Sequence, residues 1–232
     1  MSNTFTNTRL TRNNFDFLRL LFAGTVCLVH AYALSGYQEL AWIPKVMSAS
    51  VAVKGFFVIS GFLIFMSYER SSSLSSYISK RARRIYPAYS TIVLLCALGL
   101  VAFSTTNAGS YFSLAWAKYI LSNLVFLNFM HPTLPGLFEA NKLNAVNGSL
   151  WTLKIEVMFY LTVPIFVYLF RKFGRLPVLI FFYFFSIGYV WLFSNMATHS
   201  GSGLYLELSR QLPGQLSYFM VGCFFLLLPS IS

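Results

Sequence analysis

Charge is what this sequence has least of. Only 10% of its 232 residues are Asp, Glu, Lys or Arg, and 6 of them are acidic. A soluble domain usually carries about 25% charged residues. A deficit spread along the whole chain excludes an ordinary water-facing surface and makes lipid the solvent. Cysteine is scarce as well: Cys27, Cys96 and Cys223 all fall inside apolar runs. They make neither a metal-ligand spacing nor an even-numbered disulfide framework, so no metal site is expected. They read as small apolar packing residues. Low-complexity tracts and useful internal repeats are also missing.

What is present is apolar, at 57% of residues, together with a net charge of +11. Such a charge invites a nucleic-acid reading. The basic residues lie between apolar segments rather than on one soluble face, so no nucleic-acid partner is expected. Short loops rich in Lys and Arg stay on the cytoplasmic side of a membrane. Asn147-Gly148-Ser149 matches a glycosylation sequon, which matters only in a eukaryotic secretory pathway.

Six apolar segments run roughly over 15–35, 51–68, 88–104, 150–170, 176–195 and 212–229. A shorter one, 116–130, reads as an interfacial or re-entrant helix. The expected fold is an all-α integral membrane protein, a polytopic bundle of about six spans plus that short helix. Residues 1–232 are read as one membrane domain, incomplete at the C-terminus. The densest basic stretch, Arg70, Lys80, Arg81, Arg83 and Arg84, is read as a cytoplasmic loop between spans two and three. The N-terminus with Arg9 and Arg12 then also lies in the cytoplasm, as does the turn at Arg171, Lys172 and Arg175. Ala31-Tyr32-Ala33 resembles a signal-peptide cleavage site, but Arg19 inside that segment and the later spans argue against removal. The expected location is the cytoplasmic (plasma or inner) membrane, as a multi-pass protein.

Ionisable groups within such spans are expensive and default to a functional reading. Arg19 and His30 share span one. Eleven residues of helix turn through about 1,100°, so both project from one face, about 16 Å apart along the axis. His30 also has a plain role open to it, as interhelical hydrogen-bonding glue. Glu156 in span four falls about 9 Å below the outer surface by helical rise, a depth it shares with His30. A carboxylate beside a neutral imidazole orients the ring and supports the imidazolium, which suits a general base. A structural pair of Glu156 with Lys154, Lys54 or another buried cation is weighed equally. Ser149, Thr152 and Glu156 share one face, and Trp151 beside them is either an interfacial anchor or a stacking surface for a sugar ring. Lys80, Arg81, Arg83 and Arg84 determine topology, and clustered guanidinium groups also bind phosphates. The small residues of Val58-Ile59-Ser60-Gly61-Phe62 read as a close helix contact. His131 and His199 read as ordinary loop histidines.

Taken together, four stretches resemble the membrane acyltransferase family 3, whose members O-acylate sugars and related acceptors. They are Phe15-Asp16-Phe17-Leu18-Arg19 with His30, Gly55-Phe56-Phe57-Val58-Ile59-Ser60-Gly61-Phe62-Leu63, Lys80-Arg81-Ala82-Arg83-Arg84-Ile85-Tyr86-Pro87, and Ser149-Leu150-Trp151-Thr152-Leu153-Lys154-Ile155-Glu156. The resemblance implies that Arg19 and His30 are the family's essential pair, that Arg81 and Arg84 are its basic motif, and that Glu156 is its span-four glutamate. Lys54 stands where many relatives carry an acidic or neutral residue, a difference expected to bear on acceptor choice.

The implied activity is an O-acyltransferase. Acyl-coenzyme A, acetyl-coenzyme A by family frequency, is the donor substrate, with no bound cofactor. Lys80, Arg81, Arg83, Arg84 and Arg19 would hold the donor. His30 would act as general base or relay the acyl group, and Glu156 would orient His30 or the acceptor. Ser149 and Trp151 would meet a sugar or cell-surface polysaccharide arriving from outside. Two other readings stand beside it: a multi-span transporter using the same polar residues, and an inactive truncated relative.

Overall fold

The computed structural model describes residues 14–141 and 144–227, and every regular element among them is helical. Arg9 and Arg12, used above for orientation, lie outside the described residues. Eight helices are labelled here. They are α1 (Phe15–Ser35), α2 (Ala49–Glu69), α3 (Leu74–Gly99), α4 (Leu114–Leu124), α5 (Trp151–Phe173), α6 (Arg175–Ser200), α7 (Gly203–Ser209) and α8 (Leu212–Phe224). Single helical turns at Ile43–Val46 and Ala108–Tyr111 punctuate the connections.

Among the described residues, five helical stretches are long and apolar enough to cross a membrane: Phe15–Ser35, Ala49–Glu69, Leu74–Phe103, Gly148–Phe173 and Arg175–Ser200. The chain is therefore a helical membrane protein. The last expected span, 212–229, is described only as far as Leu227, and its helix α8 has 13 residues. That falls short of the roughly 17–25 residues a span needs.

One expectation is corrected. The basic stretch after α2 is not a loop, because α3 begins at Leu74, with Lys80, Arg81, Arg83 and Arg84 all within it. Ser73 starts the helix early by accepting the Ser76 N–H at 3.1 Å, a standard N-terminal cap. The stripe that holds α3 recurs every fourth residue. Tyr77, Tyr89, Val93 and Ala97 are buried, and Arg81 and Ile85 between them are half-buried. Pro87 lies inside the helix on its exposed side, and the Ser90 hydroxyl donates back to the Tyr86 carbonyl at 2.8 Å.

Two compact units arise from the packing, 1–66 with 169–232, and 67–168. Helices α2 and α5 each supply residues to both. In the first unit, described from residue 14 to 227, α6 packs against α7 and α8. Helix α2 meets α8 through glycines: a Cβ on Gly61 would strike the Phe219 carbonyl, and one on Gly222 would strike the Val58 carbonyl. Backbones approach this closely only where side chains are absent. Phe57 and Phe219 flank the crossing with ring centroids 5.0 Å apart. Helix α1 leans on α2 through Phe15–Phe62 and Phe22–Phe56 ring pairs. Gly36, at φ +69°, closes α1 by donating its N–H to the Tyr32 carbonyl, the left-handed conformation that favours glycine there.

In the second unit, α3 packs against α4 over Tyr89, Val93, Ala97, Tyr111, Tyr119 and Leu150. Its buried polar groups are paired through backbone oxygens. Tyr111 and Trp116 both donate to the Ala97 carbonyl, at 3.0 and 2.8 Å. Tyr89 donates to the Asn123 carbonyl at 2.7 Å, and the Asn123 amide donates to the carbonyls of Tyr119 and His131.

Candidate active site

The residues expected to carry chemistry fall in both units. Arg19 and His30 are in the first, on α1; Lys80, Arg81, Arg83, Arg84, Ser149, Trp151 and Glu156 are in the second.

Helix α1 has no fully buried residue. Its half-buried stripe runs through Phe15, Arg19, Phe22, Val26 and Val29, close to the helical repeat. Arg19 belongs to that stripe, whereas His30 is exposed beside its C-terminal end. The His30 Nδ1 lies 2.8 Å from the Val26 carbonyl oxygen. A carbonyl oxygen only accepts, so Nδ1 must carry the ring proton. When the ring is neutral, the lone pair is therefore on Nε2, the nitrogen that can take a proton from a substrate. Lys54, on α2, is exposed, and its Nζ stands 5.6 Å from the centre of the Tyr218 ring.

In the second unit the structure joins Arg81 and Glu156 through Tyr160. The Tyr160 hydroxyl donates to Glu156 Oε1 at 2.6 Å, one helical turn away on α5. The face of the Tyr160 ring lies 5.7 Å from the Arg81 guanidinium carbon. Arg81 also donates from Nη2 to Ser67 Oγ at 2.8 Å, while its Nε is buried without a hydrogen-bond partner. The Tyr77 hydroxyl donates to the Tyr160 carbonyl at 3.0 Å, tying α3 to α5. A guanidinium over an aromatic face and a phenol on a carboxylate are each favourable where water is excluded.

Neither Tyr160 nor Tyr77 stood out in the sequence. The only hint was spacing: Tyr160 is four residues after Glu156, and Tyr77 four before Arg81, the separations that meet on a helix face. Helix geometry also divides the basic residues. Arg84 follows Arg81 by three positions and sits near it, while Arg83 is turned about 200° away.

Ser149 and Trp151 stand at the entrance to α5. Ser149 is exposed, and its hydroxyl donates to the Asn147 side chain at 2.6 Å. The same Asn147 oxygen accepts the Ser149 N–H at 3.1 Å, and Thr152 donates to the Ser149 carbonyl at 2.9 Å. These bonds fix the turn that starts the helix. Trp151 is half-buried, and Lys154 is buried with its Nζ 4.6 Å from the centre of the Phe129 ring. His199 is exposed in the last turn of α6, and His131 lies half-buried in the loop after α4.

The Tyr160–Glu156 bond gives a direct prediction. Tyr160→Phe keeps the ring under Arg81 and removes only the hydroxyl. A hydrogen bond to a charged group contributes about 1.5–3 kcal/mol, so a thermal melt in detergent should fall by that equivalent. An unchanged melting temperature would mean the bond holds nothing in place.

A family model described as an acyltransferase domain matches residues 12–228. "Nodulation protein 10" of Rhizobium leguminosarum bv. viciae is 33% identical over 178 residues, covering 73% of this chain and 48% of that protein. An "O-acetyl transferase" of Shigella phage Sf6 is 35% identical over 150 residues, covering 64% of this chain and 44% of that protein. "Acyltransferase MdmB" of Streptomyces mycarofaciens is 28% identical over 124 residues, 53% of this chain and 30% of that protein. The chain thus spans about half the length of the first two relatives, and less of the third. No solved structure matches it.

Proposed function

This chain belongs to the acyltransferase 3 family, and from that membership we propose that it moves an acyl group, acetyl by default, from acyl-coenzyme A to a hydroxyl of a sugar or cell-surface polysaccharide. The names of the relatives, an O-acetyl transferase and an acyltransferase, support the reaction class. The observation that carries the chemistry is the His30 ring, exposed and bonded through Nδ1 to the Val26 carbonyl, so that in the neutral ring the lone pair falls on Nε2.

In the proposed reaction, His30 Nε2 takes the proton of the acceptor hydroxyl as its oxygen attacks the thioester carbonyl. The new C–O ester bond forms and the C–S bond breaks. The proton passes from the imidazolium to the departing thiolate, which leaves as coenzyme A. Arg19, on the same face of α1, steadies negative charge on the donor. Lys80, Arg81 and Arg84 supply cations for the donor's phosphates, a task suited to guanidinium groups. Glu156 acts through Tyr160, holding the aromatic face on which Arg81 rests. Trp151, at the mouth of α5, offers a surface for the acceptor sugar. The working location is the cytoplasmic membrane with the N-terminus inside, which sets the basic end of α3 toward cytoplasmic donor.

A carrier built on the same polar residues would move its cargo without covalent change. Membranes containing the protein are supplied with acyl-coenzyme A isotopically labelled in its acyl carbonyl, and acceptor sugars are recovered. A label in ester linkage to the acceptor supports transfer. Labelled cargo that crosses the membrane and leaves every acceptor unlabelled overturns it in favour of a carrier.

A further inference from the structure

The second unit holds an apolar cavity of about 140 Å³ between α3 and α5. Ala82 and Tyr86 wall it from α3, Val157 and Leu161 from α5, and Phe126 from the loop after α4. Arg81 and Tyr160, already joined to Glu156, complete the lining. Ala82, Tyr86 and Leu161 are exposed, so the cavity is an open one.

Its aromatic side is set in place by the fold. Phe126 sits at φ +62°, a left-handed conformation that a bulky residue keeps only where its surroundings dictate it. Its ring is stacked on Tyr89, with centroids 4.3 Å apart. The Tyr86 ring centre lies 6.4 Å from that of Phe126. Arg81 is held as well, by Ser67 on Nη2 and by the face of the Tyr160 ring. Arg84, one turn further along α3, is close enough to Tyr160 to act on it electrostatically.

Three properties limit what this place can bind. The walls are almost wholly hydrocarbon, so a buried group must have apolar faces, because a buried polar face would go unpaired. The opening lets the edge of such a group keep its polar atoms in water. The surroundings are cationic. Lys80, Arg81, Arg83 and Arg84 crowd this part of α3, a density that bare hydrocarbon does not tolerate, so the helix here faces a hydrated region.

A flat base with phosphate close to it meets all three. Bases stack on aromatic side chains whatever their edge pattern, and guanidinium groups pair with phosphate. A volume of about 140 Å³ admits one bicyclic ring and not a whole nucleotide. In acyl-coenzyme A a single ribose separates adenine from the diphosphate. A base in the cavity therefore leaves the phosphates at its rim, beside Arg81. The acyl group suits the cavity less well, because the pantetheine arm carries it away from the phosphates.

We propose that the cavity between α3 and α5 seats the adenine ring of the acyl-coenzyme A donor, against Tyr86 and Phe126, with the adjoining phosphates on Arg81 and Arg84. The site rests on the transfer reaction proposed above for the identity of its ligand. It adds that a donor without the nucleotide, such as acyl-phosphopantetheine, is poorly held.

The test is binding, with no acceptor and no turnover. Adenosine diphosphate, which carries the base, and inorganic pyrophosphate, which does not, are titrated calorimetrically against the whole chain in uncharged detergent. Adenosine diphosphate should bind about 10–100-fold more tightly, the scale of one base–aromatic stack. Ala82→Leu narrows the cavity and Tyr86→Leu removes an aromatic wall, both at exposed positions where stability changes little. Each should weaken adenosine diphosphate binding by about 10-fold or more and leave pyrophosphate binding unchanged, and a melt without ligand shows that each variant is folded. A loss in either folded variant supports the site. Equal affinity of the wild-type chain for the two compounds would overturn it, as would undiminished adenosine diphosphate binding in both variants. Failure of the site and failure of the transfer reaction look different. Label reaching the acceptor as readily from acyl-phosphopantetheine as from acyl-coenzyme A overturns the base site and leaves transfer standing. Adenosine diphosphate held in the cavity of a chain that transfers no label does the reverse.

Discussion

His30→Ala is expected to slow acyl transfer by about 10²–10⁴-fold, the usual contribution of a positioned general base, while leaving the fold intact. The two halves of that expectation come from separate observations. The ring is exposed, and its Nδ1 bonds to the Val26 carbonyl of its own helix. Substitutions at such positions usually change stability by no more than about 0.5 kcal/mol. In the neutral ring Nε2, in contrast, is the nitrogen left with a lone pair, and alanine has no replacement for it. Initial rates with labelled acyl-coenzyme A, at matched protein levels, give the catalytic half, and a detergent melt gives the structural half. Unchanged transfer would remove His30 from the reaction. Loss of both activity and melting temperature would make it a structural residue.

Gly61→Ala and Gly222→Ala should do the opposite, lowering stability directly. At each position the added Cβ meets a backbone carbonyl of the facing helix, Phe219 in one case and Val58 in the other. A side chain can rotate away; a backbone carbonyl held in a helix cannot, so α2 and α8 must separate along their contact. Overpacking of this kind costs about 1–3 kcal/mol and sometimes more. The two substitutions act on one crossing, so the double variant should fall short of the sum. Gly188 on α6 is the control, since a Cβ there meets nothing within 4 Å. Gly188→Ala should be neutral or stabilising by up to about 1 kcal/mol, through backbone entropy alone. Melts of all four variants check the set. Equal behaviour of Gly61→Ala and Gly188→Ala would mean the α2–α8 contact is looser than described.

Much of the helical architecture was legible because lipid imposes a simple rule: long apolar runs become helices. The runs at 15–35, 51–68 and 176–195 appear within a few residues as α1, α2 and α6. The small residues around Gly61 were legible too, since a glycine inside an apolar helix signals a close neighbour. Helix α3 was half-missed for a physical reason. Its first turns are charged on one side and buried on the other, so a search for apolar runs starts only after Pro87. The stripe Tyr77, Arg81, Ile85, Tyr89 was visible only as four-residue spacing, and an arginine interrupts it. The Arg81–Tyr160–Glu156 cluster needed three dimensions, because α3 and α5 are far apart in sequence. Single-helix reasoning reached Glu156 and Arg81 separately and passed over the tyrosine that links them.

The most direct test of the central claim is a nitrogen-15 spectrum of the His30 ring in the protein at neutral pH, assigned by loss of its signal in His30→Ala. The expected result is that the neutral form of the ring carries its proton on Nδ1 and none on Nε2. A neutral ring with its proton on Nε2 would contradict it, because that nitrogen could not then accept a proton from the acceptor hydroxyl.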